Sequence, residues 1–280
     1  MAKREKGNQK HGAPKGRTKK VKLTEAGISV ILKIPEESPD YPQCSEYVVK
    51  QIQNIIQGAI DAKMNRIFIR TNLKRGLPLE NINKVAGPFV EAWAVEKFED
   101  IADDPKNKYE LINVQAGKRL DPFDIILQFK RKREGADYVS ANVDVKATAE
   151  DIVTSGKSPN ITSYGRIRTE YLDGPDYIFI ILSLKHKVYG EKEPDSGMYH
   201  GIMEVVSSAV YDLKYLSAPD ISYNPALGTG QLQVRDIHYV TLERRTTWEF
   251  LQSLDKKYIK SKGEEAWVKM ARKHAWIKEE

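Results

Sequence analysis

Residues 177–184, with the sequence YIFIILSL, constrain the fold of this chain more than any other segment. Apolar residues occupy both the odd and the even positions, so a strand formed here would have no face suited to water. The isoleucine and aromatic content is typical of strands. We therefore expect a fully buried strand at the centre of a covered sheet.

Other runs of β-branched and aromatic residues predict the strands that surround it. The first three lie close together in the chain, as in an antiparallel meander. The predicted strands are residues 111–114, 123–129, 138–145, 66–70, 199–206 and 231–241. A sheet with this content contains both neighbouring and distant pairings, so it is expected to be mixed.

Apolar residues at helical spacing predict helices before and after these strands. The first covers residues 46–64. The second covers 79–100, and Gly87-Pro88 is expected to interrupt it so that a new helix begins at Pro88. A capping box of Thr246 and Glu249 opens a helix to residue 261, and a last helix covers 263–278. The fold class is α/β or α+β, with a central mixed sheet flanked by helices.

Positive charge is concentrated at the N-terminal end. The chain has 45 basic and 39 acidic residues, a net charge of +6. Residues 1–22, named the basic arm below, hold nine of the basic residues and one acidic residue. The other 258 residues hold 36 basic and 38 acidic residues. The basic arm is expected to be disordered in isolation, either as a solubilising tail or as a segment that contacts a phosphate backbone.

Several classes of protein are excluded by composition. The single cysteine, Cys44, cannot form an intrachain disulfide and indicates a reducing compartment. No apolar run approaches the roughly 20 residues that cross a bilayer, and the basic arm is not followed by the apolar region of a secretory signal. There is no P-loop, and the five histidines are scattered. We expect a soluble, intracellular protein without a membrane partner.

Two acidic residues and a lysine form the best candidate site. Asp124 opens an apolar strand, and twenty residues later Asp144 and Lys146 lie two apart on another strand, so their side chains share a face. If the strands pair through the loop at 131–137, the two carboxylates become neighbours. Together with the Val145 carbonyl they would form an oxygen site suited to Mg²⁺. Lys146 could orient or deprotonate a water, or neutralise charge on a phosphate.

Two alternatives remain open at this point. A surface ion pair between Asp144 and Lys146 would also explain their spacing. Asp121, three residues before Asp124, could be the upstream acid instead. Asp124 is preferred because it adjoins the strand directly, whereas an aspartate before proline is typical of a turn.

Five short motifs together resemble one family of enzymes. They are residues 86–91 (AGPFVE), 123–127 (FDIIL), 143–147 (VDVKA), 158–161 (SPNI) and 233–237 (QVRDI). Their order and content resemble the PD-(D/E)xK nuclease superfamily, and within it the type II restriction endonucleases of the HincII and EcoRV kind. The likeness covers roughly 165 residues. The hairpin between Asp124 and Asp144 is longer than usual, Ala147 stands where threonine is frequent, and the basic arm has no counterpart.

The resemblance implies roles for individual residues. Asp124 and Asp144 would bind the divalent metal, Lys146 would contact the attacking water or the scissile phosphate, and Glu91 matches an acidic helix position near the active site. Glu91 is equally well explained as a solvated carboxylate at a helix start. Two segments, 155–163 and 222–231, match DNA-facing loops, although both are also ordinary turn sequences. The residues implied in DNA binding are Ser158, Asn160, Asn224, Thr229, Gln231 and Arg235.

The function implied is that of a Mg²⁺-dependent type II restriction endonuclease. It would act as a homodimer on double-stranded DNA with a short palindromic site, leave 5′-phosphate ends, and lie in a prokaryotic cytoplasm. Its functional rather than physical partner would be a cognate DNA methyltransferase of the same restriction-modification system. Residues 23–280 would form one domain, with the catalytic core at about 85–190 and DNA recognition at about 152–165 and 220–245.

Two other functions are kept as alternatives. One is a nuclease of the same superfamily that acts in DNA repair or junction resolution. The other is a non-catalytic nucleic-acid-binding protein that uses the basic arm and keeps the carboxylates for structure.

Overall fold

The computed structural model describes residues 17–22, 29–118, 121–133, 136–226 and 230–278. These residues form twelve strands and five α-helices, numbered here in chain order. The strands are β1 (Thr18–Lys22), β2 (Ser29–Lys33), β3 (Arg66–Ile69), β4 (Leu111–Ala116), β5 (Ile125–Arg133), β6 (Ala136–Ala149), β7 (Asn160–Ser163), β8 (Phe179–Lys192), β9 (Tyr199–Asp212), β10 (Ile221–Asn224), β11 (Gln231–Val234) and β12 (Ile277–Lys278). The helices are α1 (Tyr41–Asp61), α2 (Leu79–Asp103), α3 (Tyr164–Asp173), α4 (Thr247–Lys262) and α5 (Glu264–Lys273).

A six-stranded mixed sheet forms the centre of the fold. Its strand order is β3-β9-β8-β6-β5-β4, and only the β6–β8 pair is parallel in the described part of the chain. Strand β8 lies in the middle, and each residue from Phe179 to Leu184 is buried. The α+β fold with a mixed sheet flanked by helices is therefore confirmed, as is the central, buried position of the apolar run.

Helix α2 differs from the prediction because it runs through Gly87-Pro88 without interruption. Ile82 and Ala86 before this point and Val90 and Trp93 after it are all buried on the same side. This continuous apolar stripe packs against the sheet, and its burial makes a single long helix more stable than two separate helices. Gly87 also has no Cβ to clash with the proline ring, so it can adopt the helical conformation that other residues avoid before proline.

The C-terminal third contains two further differences. The strand predicted at 231–241 ends at Val234, because Asp236 accepts a hydrogen bond from the His238 N–H at 3.0 Å and turns the chain. The helix predicted over 263–278 ends at Lys273, and residues 277–278 form β12 instead. The capping box of Thr246 and Glu249 is present as predicted.

The end of the basic arm is ordered, in contrast to the prediction. Strand β1 pairs antiparallel with β2, which pairs with β12 on its other edge. The backbone of residues 18–22 is therefore hydrogen-bonded even though basic side chains dominate its sequence. Residues 1–16 lie outside the described residues.

Buried side chains from Val30 to Ile277 form one continuous apolar cluster. Helices α1 and α2 pack on the central sheet and on each other, whereas α3, α4 and α5 pack together beside the small sheet β10-β11-β7. None of the helices in the described residues is long and apolar enough to cross a membrane.

Candidate active site

Asp124 and Asp144 lie on neighbouring strands, as the sequence predicted. Strands β5 and β6 form a hairpin in which Ile125 is registered with Val143. The N–H of Asp124 donates to the Val143 carbonyl at 2.9 Å, and the N–H of Val145 donates to the Asp124 carboxylate at 2.7 Å. The upstream acid is therefore anchored to the backbone between Asp144 and Lys146.

Asp144 and Lys146 share one face of β6, and their side chains are in contact. The Lys146 ammonium donates to Asp144 Oδ1 at 2.7 Å, and the Asp144 side chain is only 5% exposed. Its other oxygen, Oδ2, is buried and has no hydrogen-bond partner among the described residues. Burying a carboxylate oxygen without a protein partner is costly, and a ligand bound at this position would offset that cost.

Burial dominates the electrostatics of Asp144. Desolvation raises the pKa of this carboxyl to about 7; the Lys146 ammonium opposes that rise, and the nearby carboxylates of Asp124 and Glu91 add to it. Groups with strongly shifted pKa values are concentrated at functional sites. A simple surface ion pair, the alternative considered for Asp144 and Lys146, would not be buried in this way.

Glu91 on α2 belongs to the same electrostatic cluster. Its carboxylate is half-buried, and its pKa is raised first by burial and then by Asp124, while Lys146 lowers it. The structure thus brings all four residues predicted to be catalytic into one neighbourhood. The alternative explanation of Glu91, a solvated carboxylate at a helix start, does not hold. This residue lies in the middle of a continuous helix, beyond Pro88.

Asp121 is engaged elsewhere. Its carboxylate accepts a hydrogen bond from the Lys118 N–H at 2.8 Å, and its own N–H donates to the Lys118 carbonyl at 2.8 Å. This is the turn chemistry expected of an aspartate before proline. The geometry therefore favours Asp124 as the acid that acts with Asp144.

The donor set fits a hard divalent cation. Two carboxylates and the Val145 carbonyl are all oxygen donors, the type that Mg²⁺ prefers. The buried Asp144 Oδ2 has no competing partner in the described part of the chain. No group of three or more His, Cys, Asp or Glu side chains among the described residues is arranged to hold a metal ion. Any such ion would therefore depend on the backbone carbonyl, water or substrate oxygens for its remaining ligands.

The two segments predicted to face DNA form a single structure. Strand β7 from the first and strands β10 and β11 from the second make the small sheet β10-β11-β7. The Gln233 amide donates to the Ser158 carbonyl and to Asn160 Oδ1, each at 3.0 Å. Sequence reasoning placed these segments in separate loops and did not predict that they pair.

Further contacts join the loop after β6 to the loop after β11. Lys157 forms an ion pair with Asp236, the Ser158 N–H donates to the Arg235 carbonyl at 2.9 Å, and the Ile237 N–H donates to the Gly156 carbonyl at 3.0 Å. Gly156 has a φ of +84°, a conformation that glycine adopts without strain. The loop after β6 and the loop after β11 therefore form one hydrogen-bonded unit.

The individual residues predicted to bind DNA have different environments. Ser158, Asn160 and Arg235 are exposed and Gln231 is half-buried at the start of β11. Asn224 Oδ1 accepts from the Ala226 N–H at 3.0 Å, so this side chain also closes a turn. Thr229 lies outside the described residues. Contacts of these side chains with DNA remain a prediction.

Sequence reasoning missed a polar cavity on β8 and β9, the two strands that follow β6 in the order of the central sheet. It is lined by residues of β8 and β9 and by the loop after β11, including Ser183, Lys185 and His238. The segment around Ser183 was interpreted only as a buried strand. A signal was present in the spacing of Ser183 and Lys185, two apart on one strand face, as in Asp144 and Lys146.

Comparison with known proteins identifies the class and then the family. A family model described as type II restriction endonuclease HpaI matches residues 28–275. The type II restriction enzyme HpaI of Haemophilus parainfluenzae is 55% identical over 222 residues, which are 79% of this chain and 86% of that protein. The solved NlaIV restriction endonuclease aligns with 80% of this chain and 87% of its own, at 13% identity and a TM-score of 0.44.

The family model and the relative from Haemophilus parainfluenzae confirm the class predicted from the five motifs, the type II restriction endonucleases. Within that class, the chain belongs to the HpaI family. Neither a repair nuclease nor a non-catalytic nucleic-acid-binding protein is favoured by this membership.

Proposed function

We propose that this chain, a sequence-specific restriction endonuclease by family, hydrolyses DNA phosphodiester bonds with Asp124, Asp144, Lys146 and Glu91. The observation that carries the proposal is the buried Asp144 carboxylate, paired with Lys146 through one oxygen and unpartnered at the other among the described residues. Burying a carboxylate with one oxygen unsatisfied opposes folding. The position of Asp144 is explained if catalysis requires a charged oxygen ligand there.

Asp124, Asp144 and the Val145 carbonyl would hold a Mg²⁺ ion. When bound, the ion supplies positive charge that stabilises the phosphate oxygens as the reaction proceeds. The Lys146 ammonium is held in place by Asp144 at 2.7 Å, so it can face the attacking water or the scissile phosphate without a large loss of side-chain entropy. Burial raises the pKa of Glu91, which makes its carboxylate a stronger base than an exposed glutamate.

The proposed reaction is an in-line displacement at phosphorus. A water oxygen forms a bond to phosphorus, the bond from phosphorus to the 3′ oxygen breaks, and the leaving oxygen takes up a proton to become a 3′-hydroxyl. The products are a 5′-phosphate end and a 3′-hydroxyl end. Lys146, Glu91 and solvent are the available proton carriers.

DNA recognition is assigned to the small sheet β10-β11-β7 and its loops. Asn160, Asn224, Thr229 and Gln231 carry groups that can hydrogen-bond to base edges, and asparagine and glutamine suit adenine. Ser158 and Arg235 are proposed to contact phosphates or bases. The hydrogen bonds from Gln233 to Ser158 and Asn160 support this role, because they join the strand that carries Asn160 to the strand that carries Gln231.

We further propose a homodimer that binds a short palindromic site in the cytoplasm of a prokaryote. A two-fold protein reads two-fold DNA with the same side chains twice, and each subunit cuts one strand. A cognate DNA methyltransferase would protect the host DNA without binding this chain. The oligomeric state can be checked by sedimentation, and the symmetry of the site by sequencing the cleaved ends.

Plasmid digestion with Mg²⁺ tests the proposal. The wild-type chain should give discrete fragments, whereas Asp144→Ala and Lys146→Ala should give none at equal concentration. Lys50→Ala, which removes an exposed lysine on α1, is the matched control and should cut normally. Normal cleavage by either active-site variant, or the absence of discrete fragments with the wild type, would contradict the proposal.

A further inference from the structure

The face of the sheet that carries Asp144 and Lys146 continues onto β8 and β9. Lys146 is registered with Ser183, and Thr148 with Lys185. Across the next pair, Ser183 is registered with Ala209 and Lys185 with Ser207. Registered residues on neighbouring strands project to the same side of a sheet. Ser183, Lys185 and Ser207 therefore lie on the catalytic face.

A cavity of about 250 Å³ occupies this part of the face. Its floor is the sheet, and His238 and Tyr239 of the loop after β11 form its wall. The lining combines hydroxyl groups, an imidazole and an ammonium group, which are donors suited to phosphate oxygens. The polar lining matches an anion better than an apolar ligand.

Lys185 supplies the positive charge of this cavity. Within the described residues no carboxylate forms an ion pair with it, whereas Lys146 is paired with Asp144 and Lys187 with Glu204. Asp236, an acidic residue of the same loop as His238, is paired with Lys157. Burial and the Lys185 ammonium lower the pKa of His238, so this imidazole is neutral at pH 7 and can donate or accept a hydrogen bond.

The distance between Lys185 and the proposed catalytic lysine corresponds to about two steps of a DNA strand along the duplex axis. Lys185 lies one strand across and two residues along from Lys146. Strands ~4.8 Å apart and a rise of ~3.3 Å per residue give a separation of ~8 Å between the two Cα atoms. Phosphates of one strand follow each other with a rise of ~3.4 Å along the duplex axis. The two lysines can therefore contact different phosphates of one strand.

We propose that this cavity binds a DNA phosphate within two nucleotides of the scissile one, with Lys185 as its cation and Ser183 and Ser207 as hydroxyl donors. The inference rests on the proposed function, because it takes the Lys146 centre as the position of the scissile phosphate. This second contact would fix the position of the DNA relative to the active site. Two fixed phosphate contacts on one sheet face set the register of the cut strand, which a single contact at the active site would leave free to slide.

The salt dependence of binding tests the proposal without cleavage. Binding to one duplex is measured in the absence of divalent cations, for the wild type, Lys185→Ala and Lys187→Ala. Lys187 is the matched control because it lies on the same strand, loses the same charge and is already paired with Glu204. Lys185→Ala should bind about tenfold more weakly, and its slope of log K against log salt should fall by about 0.9. Lys187→Ala should retain the wild-type slope.

Equal slopes for the wild type and Lys185→Ala would overturn the inference, whether or not the wild type cleaves. Cleavage by the wild type with Mg²⁺, measured in parallel, tests the proposed function separately. Circular dichroism melting curves confirm that the variants are folded, and Lys185→Arg should keep binding within a few-fold of wild type.

Neutral phosphate substitutions locate the bound phosphate. A methylphosphonate is placed at each phosphate within two nucleotides of the cut, which end sequencing defines. One position should weaken wild-type binding about tenfold and leave Lys185→Ala binding unchanged, because this variant no longer has the ammonium group that the phosphate charge attracts. Weakening that is additive at every position would contradict the assignment of this phosphate to Lys185.

Discussion

The Asp124 carboxylate accepts a hydrogen bond at 2.7 Å from the backbone N–H of Val145, the residue between Asp144 and Lys146. One acid is thus held by the peptide backbone of the strand that carries the other acid and the lysine. The second carboxylate oxygen of Asp124 takes no part in the hydrogen bond from the Val145 N–H. This arrangement sets the spacing of the two carboxylates through a β-hairpin rather than through flexible side chains.

The first prediction separates the two candidate upstream acids. Asp124→Asn keeps an oxygen that can accept from the Val145 N–H but removes the charge, so the fold should persist while cleavage falls by at least about a hundredfold. Asp121→Asn should retain near-normal cleavage, because its oxygen only closes a turn on the Lys118 N–H. Initial rates on a plasmid at fixed Mg²⁺ provide the measurement. A severe loss with Asp121→Asn and a mild one with Asp124→Asn would reverse the assignment.

The second prediction concerns the cost of burying Asp144. Burial raises the pKa of its carboxyl to about 7 in the folded protein, above 3.8 for the unfolded chain. The folded state therefore binds more protons between pH 4 and 7, and the wild type loses stability as the pH rises through this range. Asp144→Asn does not undergo this destabilisation. In EDTA, its free energy of unfolding relative to wild type should rise by roughly 2–4 kcal/mol from pH 4 to pH 8.

Urea unfolding across this pH range provides the measurement, and Asp137→Asn is the control. Asp137 is an exposed aspartate on the same strand, so its variant should follow the wild-type pH profile. A constant difference between Asp144→Asn and wild type over the whole range would show that burial of the charge has no measurable cost.

The third prediction tests the junction between the two loops at Gly156. A Cβ on Gly156 would lie 2.6 Å from His238 Nε2, and φ there is +84°. Gly197 is the control, since it has a similar φ of +68° but its nearest neighbour, the end of Lys192, is 3.8 Å away. Gly197→Ala should cost about 1–2 kcal/mol of stability from backbone strain. Gly156→Ala should cost a further ~1–3 kcal/mol from overpacking and should also weaken DNA binding.

Thermal unfolding and duplex binding of both variants check this prediction. If Gly156→Ala and Gly197→Ala had the same stability and the same affinity, the packing of the loop after β6 against His238 would not be tight.

The fourth prediction concerns the basic arm. Deleting residues 1–16 removes five basic residues and one acidic residue, Glu5, and leaves β1 paired with β2. Non-specific binding and its salt slope should both decrease, by up to about 0.9 in slope for each phosphate that the arm neutralises. The cleaved sequence should not change, because Asn160, Asn224 and Gln231, the described side chains proposed to read bases, lie on the small sheet. End sequencing of digests by the truncated chain tests this, and an altered site would contradict it.

Local patterns in the sequence were sufficient for much of the fold and for the prediction that Asp124, Asp144 and Lys146 lie together. The apolar run at 177–184 predicted a buried strand, which the structure has from Phe179 onward. Asp144 and Lys146, two residues apart on a strand, were predicted to share a face, and their side chains are in contact. The break expected at Pro88 was wrong because a local rule on proline competes with the packing of a long apolar stripe, which is not local. The strand expected to reach residue 241 was too long for a related reason, because the turn at Asp236 is stabilised by contacts with the distant loop after β6.

The sequence by itself determined the central strand, the hairpin with its two acids and the charge difference between the basic arm and the rest. These depend on periods of two or 3.6 residues and on turn residues, which act over short distances along the chain. Only the tertiary structure decided that β7 pairs with β11, so that two distant loops form one surface, and that Lys185 stands beside Lys146 on the catalytic face. Pairing between segments far apart in the chain depends on the burial and hydrogen bonding of the whole sheet, and no short pattern specifies it.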